Sequence, residues 1–382
     1  TLAEFHLQAP TSSSAQAPQA TQHMYDAVLD NIEQLIAHTS QHGRTPELQR
    51  LWDWTRAGIA AHESAFETRA RAGSIRDCHG DLHAGNIVRI DRRLAPFDCI
   101  DFDPHLRWID VMNDMAFLVM DLHSRGHEDL ATVLLNRYLE ITGDYDGVRL
   151  LPFYAVYRAL VRAKVDAITI EQAPRLADQF ADRLQRRVRT AITLIDRPHP
   201  LLLLMHGLSG SGKSWLSEQL VAPLHALRIR SDVERRRFAD ASPAVAGFKQ
   251  GRYAPEMSHR VYARMLECAE SCLQAGFNVI VDAAFLDDCD QELFTGLAER
   301  LHVTCAFISC HADPATLLNR VAARAAHGTD VSEADQSVVN AQLRDFKPLS
   351  TQQRRPFIQV DTRNTDAIPM VVGAISTLPA AE

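Results

Sequence analysis

Residues 201–214 read LLLLMHGLSGSGKS, an unbroken apolar run closing into Gly207-Leu208-Ser209-Gly210-Ser211-Gly212-Lys213-Ser214. The apolar run lacks the alternation of a half-exposed strand, so it predicts a strand buried on both faces. The following WLSEQLVAPLHAL has helical spacing. Strand, then G-x-x-x-x-G-K-[ST], then helix is the order that triphosphate binding requires. Gly207, Gly210 and Gly212 let the backbone wrap an anion without Cβ clashes, so that N–H groups of the loop, Ser209 and Ser211 included, turn inward. The helix start adds its positive dipole end. Lys213 reaches the β/γ-phosphates, and the Ser214 hydroxyl ligates Mg²⁺.

Downstream, strand and helix patterns alternate. Strands are predicted at 201–206, 226–230 (ALRIR), FNVIVDA, VTCAFISC and PFIQVD near 356–361, with helices from 213, at 255–275, 313–326 and 333–345. Strands separated by helices predict a doubly wound parallel α/β sheet covered on both faces. Such sheets put chemistry at the carboxyl ends of their strands. Ile229-Arg230-Ser231-Asp232 ends the second strand, and Asp232 is placed to accept a proton from a substrate hydroxyl. Ser231 or Asp232 would equally cap the helix that begins at Val233. Arg235, one turn on, is a candidate contact for a substrate anion. Asp282 ends VIVDA and is a candidate Mg²⁺ holder, with a plain turn aspartate as the alternative. Arg320 and Arg324 share a helix face before the loop-like AHGTDVSEAD and are candidate lid arginines for charge on a transferred phosphoryl group, or simply a solvated face.

These residues resemble the P-loop kinase group that includes gluconate kinase, polynucleotide kinase and the zeta-toxin-like kinases. The resemblance covers roughly residues 200–365. It implies ATP and Mg²⁺ as cofactors, Lys213 and Ser214 as their residues, Asp232 as base, Arg235 as substrate-anion contact, and Arg320 and Arg324 as lid arginines. Asp361-Thr362-Arg363-Asn364 resembles the base-proximal loop. The acceptor does not carry over, because the group phosphorylates hydroxyls on very different molecules.

The segment Asp196-Arg197-Pro198-His199-Pro200 predicts a domain boundary, since its two prolines block helix continuation. The expected division is 1–196 and 197–382. The N-terminal half opens on the helix-like TLAEFHLQAP and the loop-like TSSSAQAPQA, continues in helical patterns at 22–39 and 46–71, shows strand-like NIVRI and LAPFDCIDF, and is helical from about 107 to 195. Between lies His79-Gly80-Asp81-Leu82-His83-Ala84-Gly85-Asn86, followed by Ile100-Asp101-Phe102-Asp103. An aspartate, an asparagine five residues on and a second aspartate past a strand pair follow the logic of a protein-kinase-like site. Asp81 would take the hydroxyl proton, and Asn86 and Asp101 would hold Mg²⁺. The pattern HGDLHxGN…IDFD resembles the aminoglycoside phosphotransferase and choline-kinase-like family, in which Asp110 and Asp114 fit the structural helix that follows. It implies a mainly helical, protein-kinase-like large lobe. No glycine-rich loop and no lysine stand among residues 1–78 to supply the small lobe. The expectation is an N-terminally incomplete lobe, inactive by itself. A zinc reading of His79 and His83 fails because a glycine interrupts the supposed helix and no glutamate follows His79. Together the two halves resemble bacterial fusions of an aminoglycoside phosphotransferase-like domain with a P-loop kinase.

Composition fits an ordinary soluble globular protein. The chain has 382 residues, 46% hydrophobic and 23% charged, with net charge −8. That charge gives no general attraction to nucleic acid or membrane. Seven scattered cysteines fit a reducing cytoplasm, and Cys268 and Cys272 read as helix-packing residues. The expected activity is ATP- and Mg²⁺-dependent phosphoryl transfer to a hydroxyl of a small molecule through the C-terminal half. Two alternatives stand. Arg228, Arg230, Arg235, Arg236 and Arg237 locally favour a nucleic-acid 5′-hydroxyl kinase, and a non-catalytic ATP-gated regulator would use Asp77, Asp81 and Asp103 to recognise a cationic ligand.

Overall fold

The computed structural model describes residues 1–13, 17–39, 45–240, 255–327, 336–346, 348–349 and 356–379. The chain divides into two compact units, Thr1–Arg197 and Pro198–Glu382.

The first unit is mostly helical. Its elements are α1 (Leu2–Gln8), α2 (Ala17–Thr39), α3 (Pro46–Arg71), β1 (Ile75–Asp77), β2 (Ile87–Ile90), β3 (Arg93–Pro96), β4 (Trp108–Asp110), α4 (Val111–Ser124), α5 (Glu128–Thr142), α6 (Leu151–Gln172) and α7 (Ala177–Ile195). Helix α4 is buried along most of its length, with Met112, Met115 and Phe117 in the core beside Phe153 and Leu160 of α6. Residues 17–20, expected in a loop, instead form the first turn of α2. Pro18 is tolerated there because a first-turn N–H has no intrahelical partner to lose. The run LAPFDCIDF pairs only as far as Pro96. Asp91 and Arg92, at φ 45° and 66°, make a two-residue hairpin turn of the primed type that matches strand twist. Strands β1 and β4, three residues each, pair antiparallel; elements this short carry no readable periodicity.

Arg69 ties this unit together. It donates from Nε and Nη2 to Asp110 at 2.7 and 2.8 Å, and from Nη1 and Nη2 to Asp144 at 2.6 and 2.8 Å. Burial opposes its charge, but the two carboxylates outweigh it and hold the guanidinium well above its ordinary pKa. Arg69→Ala would strand Asp110, which is buried, beside a half-satisfied Asp144. The expected loss is about 3–5 kcal/mol of stability, read as a lowered urea midpoint; an unchanged midpoint would show the network to be dispensable.

The second unit comprises β5 (Leu201–His206), α8 (Lys213–Val221), β6 (Ala226–Arg230), α9 (Ser231–Asp240), α10 (Pro255–Gln274), β7 (Asn278–Asp282), α11 (Asp288–Arg300), β8 (Thr304–His311), α12 (Pro314–His327), α13 (Gln336–Asp345), β9 (Phe357–Asp361) and α14 (Ala367–Ile375). Its five strands run in the order β6-β7-β5-β8-β9, all parallel. Side chains alternate across the sheet. Leu203, Met205, Ile280, Ala306 and Ile308 pack with Leu216, Leu220, Val371 and Ile375 of α8 and α14. Leu202 and Leu204, facing the other way, are equally buried. On the α10–α11 side, Phe285 meets Phe294 and Tyr262 edge-on at 5.1 and 5.4 Å. Two covered faces explain why β5 reads as an unbroken apolar run. The chain leaves β5 for the far edge and returns to flank it on both sides, so the loop after β5 lies at a topological switch point.

Candidate active site

The loop after β5 takes backbone conformations that only glycine adopts easily. Gly207, Gly210 and Gly212 have φ of 134°, 81° and 89°. A Cβ on Gly207 would lie 2.3 Å from the Cys310 carbonyl oxygen. Gly207→Ala is therefore expected to cost about 3 kcal/mol and to lower the melting temperature, measured by circular dichroism; melting at the wild-type temperature would contradict the tight approach. Gly212 caps α8, leaving the amides of the first helical turn without intrahelical acceptors.

Lys213 folds against the loop, its Nζ donating to the carbonyls of Gly207 and Leu208 at 2.8 Å each. Burial pushes the ammonium's pKa down, with Asp282 as the main opposing charge. Ser214 donates to Asp282 Oδ1 at 3.2 Å, and Ser217 to Oδ2 at 3.1 Å. Burial raises the Asp282 carboxyl's pKa against Arg228, Arg230 and Lys213. A serine hydroxyl and a carboxylate side by side are hard oxygen donors and fit Mg²⁺.

One cleft of about 410 Å³ is lined by Ser209, Gly210, Gly212, Lys213, Ser214 and Asp282 on one side, and by Asp232, Arg235, Arg320 and Arg324 among others. Gly207 and Ser211 are not in its wall; Ser211 is buried behind the loop, its carbonyl accepting from Thr362 Oγ1 at 2.7 Å. Arg235, expected to meet a substrate anion, is paired with Asp232 at 3.1 Å. Arg320, expected on a lid, donates to Thr362 Oγ1 at 2.8 Å and to the Gly210 carbonyl at 3.3 Å. It props the glycine loop against the turn after β9. Of the expected lid, residues 328–335 lie outside the described residues.

Several cleft residues escaped sequence reasoning. Gln342 of α13 accepts from the Ser209 amide at 2.9 Å, a contact between distant segments that no local pattern signals. Ser217, buried behind the cleft, was detectable, one helical turn from Ser214 on the same face of α8. Asp287 and Asp290 also line the cleft, and burial together with Asp287 pushes Asp290 up to about 6.

In the first unit, Asn86 Nδ2 donates to the Asp81 backbone and side-chain oxygens at 3.0 Å each. Burial opposes ionisation of Asp81, but His83, Arg162 and Arg158 hold its pKa below the ordinary value. Asp114 is fully buried and accepts from the amides of His79 and Gly80 at 3.1 and 3.0 Å, fixing the loop that carries Asp81. Asp110 caps α4. Asp101, the third member of the expected constellation, is exposed, and no hydrogen bond or ion pair joins it to Asp81 or Asn86 among the described residues. The hairpin stops pairing at Pro96, and the chain through Asp98, at φ 62°, no longer follows a strand. Asp77 is paired with Arg107 at 2.8 Å, and Asp103 caps a turn at His105.

Residues 202–349 match a family described as AAA domain. An uncharacterized protein of Mycobacterium tuberculosis (H37Rv) is 29% identical over 322 residues, as is one of Mycobacterium bovis. The match covers 83% of this chain and 64% of each relative, so the chain spans about two-thirds of the length of the curated relatives it matches. Among solved structures, a gluconokinase from Sinorhizobium meliloti 1021 is similar at 18% identity and TM-score 0.36, covering 47% of this chain and 94% of its own. Kti12 of Chaetomium thermophilum, solved with ADP-AlF3, is similar at 16% identity and TM-score 0.38, covering 47% and 99%. With its sheet order, glycine loop and AAA-domain match, the C-terminal unit has a P-loop nucleotide-binding fold. No described helix is long and apolar enough to cross a membrane.

Proposed function

We propose that the chain is an ATP- and Mg²⁺-dependent phosphotransferase that acts on a hydroxyl of a small molecule through its C-terminal unit. The observation that carries this reading is the single cleft that holds the glycine loop, the Ser214–Asp282 pair and the Asp232 carboxylate together. The loop amides and Lys213 hold the β- and γ-phosphates. Ser214 and Asp282 would hold Mg²⁺, which when bound would neutralise charge on the phosphates. Asp232 accepts the proton of the acceptor hydroxyl, whose oxygen bonds to the γ-phosphorus as the bond to the leaving ADP oxygen breaks. Arg324 also lines the cleft and would face the transferred group, while Arg320 braces the loop itself.

The pairing of Arg235 with Asp232 orients the carboxylate and partly neutralises the guanidinium that would otherwise meet an acceptor's anion. This supports a neutral acceptor over an anionic one. The arginine run that locally favoured a nucleic-acid acceptor is largely spent inside the fold: Arg228 donates to the Ser214 carbonyl, and Arg237 pairs with Glu234. In this reading the N-terminal unit performs no transfer of its own, and the protein works in the cytoplasm.

Incubation of the full chain with γ-labelled ATP, Mg²⁺ and a panel of sugars, polyols and amino alcohols tests the proposal. Label is expected on at least one hydroxyl compound, and Asp81→Asn is expected to leave the rate unchanged. Absence of label transfer and of ATP turnover across the panel would sink it; abolition by Asp81→Asn would move the chemistry to the other unit.

A further inference from the structure

A second polar cleft, of about 430 Å³, opens within the N-terminal unit and shares no lining residue with the C-terminal site. Its walls come from three helices. Arg125 follows the end of α4, Arg162 lies on α6, and α7 contributes a stripe at helical spacing, from Gln179 through Arg183 to Arg186 and Arg187. Positions three, four, seven and eight apart fall on one helix face, so the sequence of α7 alone aligns its guanidiniums toward the cleft.

The guanidiniums there are unevenly partnered. Arg187 is buried and donates to Asp121 at 3.0 Å; Arg125 bonds the other oxygen of the same carboxylate at 2.8 Å. Arg183 pairs with buried Asp166 at 3.1 Å. Arg162 touches only the His83 ring, at 3.3 Å, and Arg186 makes no ion pair or side-chain hydrogen bond among the described residues. Arg187 and Arg125 thus share one carboxylate and Arg183 has Asp166, while Arg162 and Arg186 stand without a direct carboxylate partner among the described residues. Their mutual proximity is visible at Asp166: burial raises its pKa, and Arg183, Arg187, Arg162 and Arg186 all oppose the rise. Like charges crowded at a half-buried surface repel unless an anion offsets them.

We propose that this arginine cleft binds a phosphate group as its dianion, free or as the terminal monoester of a small molecule. A phosphate monoester carries close to two negative charges at neutral pH and three acceptor oxygens, matching Arg162 and Arg186 and the forked donors on offer. The position gives the site a consequence. Arg162 contacts His83 Nε2, and the same nitrogen lies 3.4 Å from Asp81 Oδ2. An anion drawing Arg162 toward it changes the charge beside the Asp81 loop.

Calorimetric titration of the full chain with inorganic phosphate, a hexose 6-phosphate and a nucleoside monophosphate tests the proposal. At least one probe is expected to bind saturably, and to bind about tenfold or more weakly to Arg162→Gln/Arg186→Gln. The probe that binds tightest identifies the source of the phosphate. Arg186→Gln alone, at an exposed position, is expected to weaken the same signal without altering melting. Lys213→Ala is expected to leave this signal intact, which separates it from the phosphate loop of the C-terminal unit. Binding that disappears in Lys213→Ala but persists in the double variant, or no saturable binding of any probe, would overturn the proposal.

Discussion

Lys213→Ala is expected to lower the rate of phosphoryl transfer by about 10²–10³-fold, the scale for losing one preorganised charge partner in a site that excludes water. The lysine is held by two backbone carbonyls of its own loop at 2.8 Å, so its ammonium is positioned before any phosphate arrives. That positioning is why the effect falls on the transfer step and not only on binding. Lys213→Arg is expected to rescue little. A planar guanidinium is wider than an ammonium and cannot occupy the same two-carbonyl notch. Single-turnover measurement with labelled ATP separates the two terms. A variant that transfers at the wild-type rate would remove the lysine from the mechanism.

Asp232→Asn is expected to reduce transfer by about 10²–10⁴-fold, the usual contribution of a positioned general base, while ATP affinity stays near wild type. The amide keeps the shape of the carboxylate and can still accept from Arg235, but it cannot take a proton. Asp232 stands at the start of α9, immediately after the edge strand β6, while the residues proposed to hold phosphate and Mg²⁺ stand on the loop after β5, at the start of α8 and at the end of β7. In the proposed function, nucleotide binding and proton removal are carried by different elements, and the substitution should divide them. A fall in ATP affinity matching the fall in rate would mean that Asp232 holds nucleotide or metal instead.

Much of the C-terminal unit was legible in the sequence because its signals are local. LLLLM could only be a strand covered on both sides, and the glycines mark positions where a Cβ would strike backbone or the Thr362 side chain. What stayed hidden depends on segments that meet only after folding. Nothing near Arg320 in the sequence shows that it grips Thr362 and the Gly210 carbonyl, or near Arg235 that it turns back onto Asp232. In the N-terminal unit the loop bearing Asp81 was readable as a motif. Its support was not: Asp114 reaches that loop from α4, and His6 of α1 in turn lies 3.1 Å from Asp114. The α7 arginine stripe was present in the letters, but its meaning needed Arg125 and Arg162 from two other helices.

The central claim is that the loop 207–214 of the C-terminal unit holds the phosphates of ATP. Hydrogen exchange of the full chain, with and without Mg²⁺ and ATP and read by mass spectrometry peptide by peptide, tests it most directly. Slowed exchange is predicted in peptides spanning residues 207–216, and lost again in Lys213→Ala. Unchanged exchange there, or slowing confined to the peptides around Asp81 and Asn86, would contradict it.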